Sequence, residues 1–355
     1  MGQGMTVGLV MIVKDESAIL PRLADSVKDH VDYWTVIDTG STDDTIETAK
    51  RVFAPVPGQV LFHEFDGFGP SRTFALQNAE THTDWMLCLC ADETFHGHVE
   101  VDDSVDIIEA EQHNGDLRFF LPRLLKSGRG WESRGRSHEY YFSPLGSGTW
   151  PARTDSFYVE HHGDGHDRPN KFRRDAELLL MDWAEDSENP RTAFYLAQTY
   201  DNNGEPAEAV GWYRQRINLG GWDEETFFAK FRLGVCLLNL GAKQEGCGFL
   251  WEAWASKPHR AEPMVALSEH YRLSEQWILA WHVANLAQEH YDPAATGLFV
   301  DTSMEWRVTY EISISAWYAC QKEWGKLALN RLLSRDDIPE PFYSSIRSNQ
   351  EFYFS

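Results

Sequence analysis

The chain of 355 residues, with 42% hydrophobic and 13% aromatic residues, is long enough to bury the cores of two globular domains. Its net charge of -23 excludes a broad nucleic-acid-binding surface, since contacts to phosphates need clustered lysine and arginine. The five cysteines are scattered and odd in number, which suits a reducing compartment, and no run approaches the roughly 18 apolar residues of a membrane span, so we expect a cytoplasmic protein without integral membrane association.

Strand-like and helical segments alternate along the first half of the chain. Apolar, β-branched runs predict strands at residues 7–13 and 33–37. Amphipathic segments at about 18–31 and 44–53 predict the helices that follow them. This alternation is typical of a mostly parallel α/β sheet. Further strands are predicted at 59–63, 85–89 and 117–121.

Acidic residues directly follow the first two predicted strands. Asp15 and Glu16 come after the first strand, and Asp38 ends the second, followed by Gly40 in a tight turn. Ligands of open α/β sheets bind at the carboxyl ends of strands. Asp38 and Glu16 therefore predict a polar ligand that is rich in hydroxyl and N–H donors, such as a nucleoside. Strand-end acids that are solvated by water or that cap a helix are the alternative.

A helix with an arginine in its first turn is predicted over residues 68–79. The helix dipole opposes Arg72 there, so the side chain needs an anionic or planar partner, or else exposure to water. The next strand, 85–89, leads into Cys90, Ala91, Asp92 and Glu93. Carboxylate oxygens at a strand end suit Mg²⁺ or Mn²⁺, whereas the Cys90 thiol does not.

Two motifs carry a resemblance to a known family. Residues 11–16, MIVKDE, and residues 37–43, IDTGSTD, resemble the opening of family-two glycosyltransferases of the GT-A fold. They are most similar to a subgroup that often has a tetratricopeptide-like (TPR-like) helical tail. The resemblance implies an α/β GT-A domain over residues 1–175 and an all-α TPR-like domain over residues 176–355.

The resemblance also implies an activity and its site. It implies inverting transfer of a sugar from a nucleotide-diphosphate donor, with a UDP-sugar favoured, to an acceptor hydroxyl or thiol. Cys90 stands where the family carries the first acid of its metal motif, and Asp92 matches the acid that holds a divalent cation, Mn²⁺ or Mg²⁺. A late histidine of the family corresponds to His161. The residues expected around the nucleotide are Val13, Asp15, Glu16, Asp38, Gly40, Arg72, Cys90 and Ala91.

The candidate base lies in a segment that follows Trp131. In the resembling subgroup a tryptophan precedes a His-Glu-Tyr motif, which makes Glu139 the expected general base and His138 the reserve. A carboxylate simply paired with Arg134 or Arg136 is the alternative.

A second histidine-rich cluster, at residues 159–167, has alternatives of its own. His161, His162 and His166, with Asp164 and Asp167, could form an unrelated transition-metal site, or the Gly-Asp-Gly run could be only a turn.

The second half of the chain has a helical texture. From Arg191 onward, small residues and glycines recur between helical patterns at spacings of about 34 to 40 residues, the period of helix-turn-helix repeats. Such repeats bind partners on a concave face, so we expect a protein or peptide acceptor. The helical domain also offers a surface for homo-oligomer formation.

Two other functions compete with catalysis of glycosyl transfer. A non-catalytic nucleotide-sugar-binding scaffold that presents the helical repeats is favoured by Cys90 in the metal motif. A nucleotidyltransferase would share the sheet and the acidic site. It normally needs a glycine-rich basic loop after the first strand, and residues 14–17 do not supply one.

Overall fold

The structure, a computed structural model, describes residues 4–146, 151–165 and 171–354. The chain divides into two compact units between Ser187 and Glu188. The boundary expected at residue 175 falls inside helix α4, Lys171–Glu185, which belongs to the first unit. Its Asp182 hydrogen-bonds Arg136 of the first unit, a tertiary contact that the local pattern did not show.

Most strands of the first unit belong to one sheet. Their order across the sheet is β3-β2-β1-β4-β7-β6-β10-β5. Strands β8 and β9 form a separate antiparallel ribbon. The strands are β1 (Val7–Val13), β2 (Tyr33–Asp38), β3 (Gly58–Phe62), β4 (Trp85–Cys88), β5 (Glu93–Gly97), β6 (Ile107–Asn114), β7 (Leu117–Lys126), β8 (Glu132–Arg134), β9 (Tyr140–Phe142) and β10 (Ala152–His161).

The sheet is mixed, with a parallel half and an antiparallel half. Strands β3, β2, β1 and β4 are parallel, as expected, but β7 runs antiparallel to β4 and β6 antiparallel to β7. Strand β10 is parallel to β6 and therefore to β4. The carboxyl ends of β1, β2, β4 and β10 consequently meet at one edge of the sheet.

Strand β1 is covered by helices on both faces. On one face Leu9 and Met11 belong to a buried cluster with Leu20 and Leu23 of α1. On the other face Val10 belongs to a cluster with Leu76 of α3. Each fully buried aliphatic side chain of this kind contributes about 1.5–3 kcal/mol. The helices are α1 (Leu20–Val27), extended by the 3-10 turn Lys28–His30, α2 (Thr45–Val52) and α3 (Phe68–Ala79).

The second unit is helical, and consecutive helices pack as antiparallel pairs, which confirms the expected helical tail. Small residues allow close pairing: a Cβ at Gly234 would lie 3.0 Å from the carbonyl oxygen of Gly246 on the next helix. The elements are α5 (Pro190–Asn202), α6 (Pro206–Leu219), α7 (Asp223–Asn239), α8 (Lys243–Ser256), α9 (Glu262–Leu273), α10 (Trp277–His290), β11 (Val300–Asp301), α11 (Met304–Tyr318), α12 (Lys322–Leu333), α13 (Glu340–Ser348) and α14 (Gln350–Phe354).

Across the described ranges, no helix combines the length and the apolar character that a membrane crossing requires.

Candidate functional site

The loops after β1 and β2 are joined by hydrogen bonds. Asp15 accepts bonds from the backbone N–H groups of Thr42, at 2.6 Å, and Asp43, at 3.2 Å, and its own N–H donates to Ser41 Oγ. The Thr42 N–H is the main cause of a lowered pKa at Asp15. Asp15 therefore acts in shaping the site, by holding the two loops together.

Asp38 ends β2 directly beside Val13, its partner in the register with β1. Its carboxylate is buried, and it accepts bonds from the N–H groups of Gly40, at 3.3 Å, and Ser41, at 3.1 Å. Asp38 thus stabilises the turn that follows β2, and as a buried acid it is not the water-exposed acid of the alternative interpretation. A carboxylate has about four acceptor positions, so capacity for a ligand remains. Gly40 has φ of +106°, and nothing lies within 4 Å of its Cβ position, which leaves open space beside Asp38.

The structure brings Asp92 and His161 together, although they are far apart in sequence. Strand β10 pairs with β5 so that His161 lies opposite Glu93. His161 Nδ1 is 3.5 Å from Asp92 Oδ2, and the His162 N–H donates to the Asp92 carbonyl at 3.0 Å. The strand pairing therefore places the two predicted metal ligands side by side.

Glu93 has a different role from its neighbour Asp92. Its side chain is buried and forms a two-pronged ion pair with Arg123, with contacts of 2.6 and 3.1 Å. It also accepts the Cys90 N–H at 2.7 Å. Glu93 and Arg123 therefore brace the loop that carries Cys90 and Asp92. The sequence analysis did not identify Arg123, because its partner lies 30 residues earlier.

Gly165, four residues after His161, lies close to two acids, Glu16 and Asp92. A Cβ built on Gly165 would lie 3.4 Å from Glu16 Oε1 and 3.5 Å from Asp92 Oδ2. Asp164 beside it forms a bidentate ion pair with Arg22 of α1, with distances of 2.7 and 2.8 Å. This hydrogen bonding lowers the pKa of Asp164 to about 2. Arg22 was also not predicted from sequence.

The donor set at this edge was compared with the needs of a divalent cation. The described residues contain no cluster of three or more His, Cys, Asp or Glu side chains suited to a metal ion. Mg²⁺ sites often use only one or two protein carboxylates together with substrate phosphates, and neighbouring ligand atoms on such an ion lie roughly 3 Å apart. Asp92 supplies one such carboxylate, and His161, whose Nδ1 lies 3.5 Å from Asp92 Oδ2, adds a nitrogen ligand that suits Mn²⁺ but not Mg²⁺.

The alternative transition-metal cluster is only partly described. His162 contacts Thr94 Oγ1 at 2.7 Å and Asp164 pairs with Arg22, so these two side chains are engaged elsewhere. His166 and Asp167 lie outside the described residues.

Arg72 links the end of β4 to the segment of the candidate base. Its Nη2 donates to Cys90 Sγ at 3.3 Å, and its Nε forms an ion pair with Glu139 Oε1. The Nε lacks the geometry of a hydrogen bond, although it is buried. Glu139 is therefore the anionic partner that Arg72 requires at a helix N-terminus. The sequence predicted both residues in the site, but it did not predict that they pair.

The arginines expected as alternative partners of Glu139 bind elsewhere. Arg134 pairs with Glu132 at 3.1 Å and stacks on Phe142, while Arg136 pairs with two acids of α4. His138, the reserve candidate, is exposed and has a left-handed backbone with φ of +52°.

The Cys90 thiol is protonated at neutral pH. Burial, with Glu93 adding to the effect, raises the pKa of Cys90 to about 11. An acid at this position would neutralise Arg72, whereas a neutral thiol is only a weak acceptor. The thiol of Cys90 therefore offsets little of the positive charge of Arg72, whose carboxylate partner is Glu139.

Similar proteins were sought by sequence and by structure. No protein-family model matches the chain. A TPR repeat-containing protein of Synechococcus elongatus is 30% identical over 243 residues, which is 60% of this chain and 57% of that protein. A protein of Rickettsia prowazekii named an uncharacterized glycosyltransferase is 34% identical over 120 residues, which is 34% of this chain and 38% of that protein. The matched region thus spans about half the length of these relatives or less.

Among solved structures, the crystal structure of MamA aligns with 52% of this chain and 91% of its own chain. The TM-score is 0.38, at 15% sequence identity.

Proposed function

We propose that the protein is a glycosyltransferase that moves a sugar from a nucleotide-diphosphate donor, with a UDP-sugar favoured, to an acceptor hydroxyl or thiol. The proposal is supported by three observations: Asp38 ends β2 beside Val13, Asp92 lies against His161, and the Arg72–Glu139 pair contacts Cys90, two residues before Asp92. The glycosyltransferase name of the Rickettsia relative supports it. The mixed sheet with its parallel half is the arrangement that a GT-A domain requires.

Each group has a task in such a transfer. Asp38 would accept from the base or ribose, and the open space beside Gly40 leaves room for them. Arg72 would hold the diphosphate, because a guanidinium suits phosphate oxygens. Asp92 and His161 would hold a divalent cation, Mn²⁺ in preference to Mg²⁺, which when bound would offset the charge of the departing diphosphate.

Glu139 would act as the general base in one in-line displacement. The acceptor oxygen forms a bond to the anomeric carbon while the bond from that carbon to the phosphate oxygen breaks. The acceptor proton passes to the Glu139 carboxylate, and the electron pair of the broken bond remains on the nucleoside diphosphate. A single displacement of this kind inverts the anomeric centre. In this proposal Arg72 would hold the donor diphosphate while its ion pair with Glu139 orients the base.

The acceptor in this proposal is a protein or peptide. The second unit consists of stacked helical pairs, an architecture that binds partners along an extended surface. Its exposed large side chains include Trp222, Trp324 and Tyr318, which are suited to contacts with a peptide.

The first test is thermal unfolding with UDP, GDP, CDP and dTDP, each with and without Mn²⁺ or Mg²⁺. A ligand that binds only the folded state raises the transition temperature by mass action. We expect one nucleotide to raise it only with the metal, and Asp92→Ala to abolish the shift and lower turnover roughly 100- to 1000-fold. Asp102→Asn, in an exposed turn, is the control and should behave as the wild type.

Two results would contradict this proposal. An Asp92→Ala variant that keeps full turnover would refute the proposed site. Absence of a shift with every nucleotide at millimolar concentration would favour the non-catalytic scaffold, for which Cys90 in the metal motif is the supporting feature.

A further inference from the structure

We infer that Asp182 of α4 is a positioning residue for Glu139, and that α4 is thereby part of the catalytic machinery. The inference rests on the proposed function, because Glu139 is the base only in that proposal. Among the described residues, the Asp182 carboxylate accepts hydrogen bonds from Arg136 and not from Glu139. It acts through Arg136, three residues before Glu139.

Asp182 holds Arg136 by both its backbone and its side chain. Its Oδ2 accepts the Arg136 N–H at 2.8 Å, and its Oδ1 accepts from Arg136 Nη1 at 2.6 Å. Glu185, one turn later, accepts two further bonds from the same guanidinium, at 2.6 and 3.0 Å. These bonds raise the pKa of Arg136, with Glu185 the largest cause and Asp182 the next. One carboxylate thus fixes the main chain as well as the side chain.

A second contact ties the same segment to α4. Asp175 is buried and accepts a hydrogen bond from the Ser137 side chain. Its burial raises the pKa of Asp175, which Arg174 and Ser137 partly oppose. Successive residues of the segment, Arg136 and Ser137, are therefore anchored at two points along α4.

Helix α3 holds the other side of the segment. The Phe68 N–H donates to the Arg136 carbonyl at 3.2 Å. A Cβ at Gly69 would lie 2.3 Å from the Gly135 carbonyl oxygen, so only glycine permits this approach. The segment thus lies between α4 and the helix that carries Arg72.

These contacts matter for Glu139 because the backbone between the fixed residues, Arg136 and Ser137, and Glu139 is strained. His138 adopts φ of +52°, a left-handed conformation that favours glycine and is disfavoured for a histidine. Such a conformation persists only where surrounding contacts impose it. Without Asp182 we expect residues 136–139 to relax and Glu139 to lose its fixed place against Arg72.

The test compares Asp182→Asn with Glu177→Gln on the same helix. Glu177 pairs with Arg173 in an exposed pair at 3.3 Å and does not contact the segment. We expect Asp182→Asn to keep the metal-dependent nucleotide shift and the donor KM, but to lose at least tenfold in kcat. Hydrogen–deuterium exchange should increase in residues 136–141 for Asp182→Asn only. Asp182→Glu, which keeps the charge, should recover part of the kcat.

The outcomes separate this inference from the proposed function. Normal kcat in Asp182→Asn, or exchange in residues 136–141 no faster than in Glu177→Gln, overturns the positioning role. A loss of nucleotide binding equal to the loss in kcat also overturns it, because that result indicates a general structural role. A wild type that neither binds nor turns over any nucleotide sugar refutes the proposed function itself, whatever Asp182→Asn does, and removes the catalytic role of Asp182 with it.

Discussion

Buried arginines occur in both units, but their surroundings differ. In the second unit the Arg216 side chain is fully buried. It pairs with Glu225 at 3.0 Å and donates hydrogen bonds to the carbonyl groups of Gly220 and Trp222. In the first unit Arg72 has a protonated thiol and one carboxylate, and its buried Nε lacks a hydrogen bond.

The difference agrees with a structural role for Arg216 and with the role at the donor diphosphate that we propose for Arg72. Buried polar groups in stable cores are hydrogen-bonded almost without exception. Arg216 follows that rule and is part of the packing of α6 against α7. Arg72 has the Cys90 thiol and the Glu139 carboxylate as partners, and a donor phosphate would be a third partner in the proposed function. Arg123 also has a buried Nε without a hydrogen bond, although it pairs with Glu93 and Gln112, so the Nε alone does not distinguish the two kinds of arginine.

The largest effect is expected from breaking the Arg216 pair. Glu225→Ala leaves a buried guanidinium without its carboxylate, and removal of one partner from a buried pair costs about 3–5 kcal/mol. We expect that loss in the free energy of unfolding, measured by urea denaturation.

Glu245→Ala is the matched control for that measurement, because its pair with Arg214 is 40–47% exposed. Exposed pairs are worth about 0.2–1 kcal/mol. Equal losses in the two variants would contradict the distinction between buried and exposed pairs in this unit.

A smaller effect, on binding, is expected at Arg72. Arg72→Gln should weaken binding of the donor nucleotide about tenfold, because a charge-assisted contact to phosphate is lost. The affinity of Arg72→Lys for the donor nucleotide should lie between those of Arg72→Gln and the wild type. Lysine keeps the positive charge but lacks the planar guanidinium group. Isothermal titration calorimetry provides the dissociation constants. Unchanged affinity in Arg72→Gln would make Arg72 a structural arginine like Arg216.

The smallest effect concerns thiol reactivity and its pH dependence. Cys90 has a pKa raised to about 11, so it is protonated below that pH and its thiolate fraction at pH 8 is roughly one in a thousand. We expect iodoacetamide to label the exposed Cys320 first and Cys90 only slowly, at a rate that rises about tenfold per pH unit. Peptide mass spectrometry measures both rates. Labelling of Cys90 as fast as Cys320 at pH 8 would show that the thiol beside Arg72 is ionised.

Local patterns were sufficient for the first strands and the third helix. Strand β1 and helix α3 have the predicted bounds, because a buried apolar run and a helical period are properties of adjacent residues. The short β5 and the ribbon β8–β9 were not predicted, because their three to five residues carry too little pattern. Strands β6 and β10 were also not predicted, although they are longer, because polar residues interrupt their apolar patterns and pairing with distant strands defines them.

The sequence by itself determined which acids stand at strand ends, since Asp38 and Asp92 directly follow apolar runs. Only the tertiary structure decided which distant residues contact each other: His161 and Asp92, Glu139 and Arg72, and Asp182 and Arg136. The physical reason is that local conformation depends on adjacent residues, whereas an ion pair depends on which distant strands and helices meet. With 32 basic and 55 acidic residues in the chain, composition leaves those pairings open until the sheet order and α4 bring the partners together.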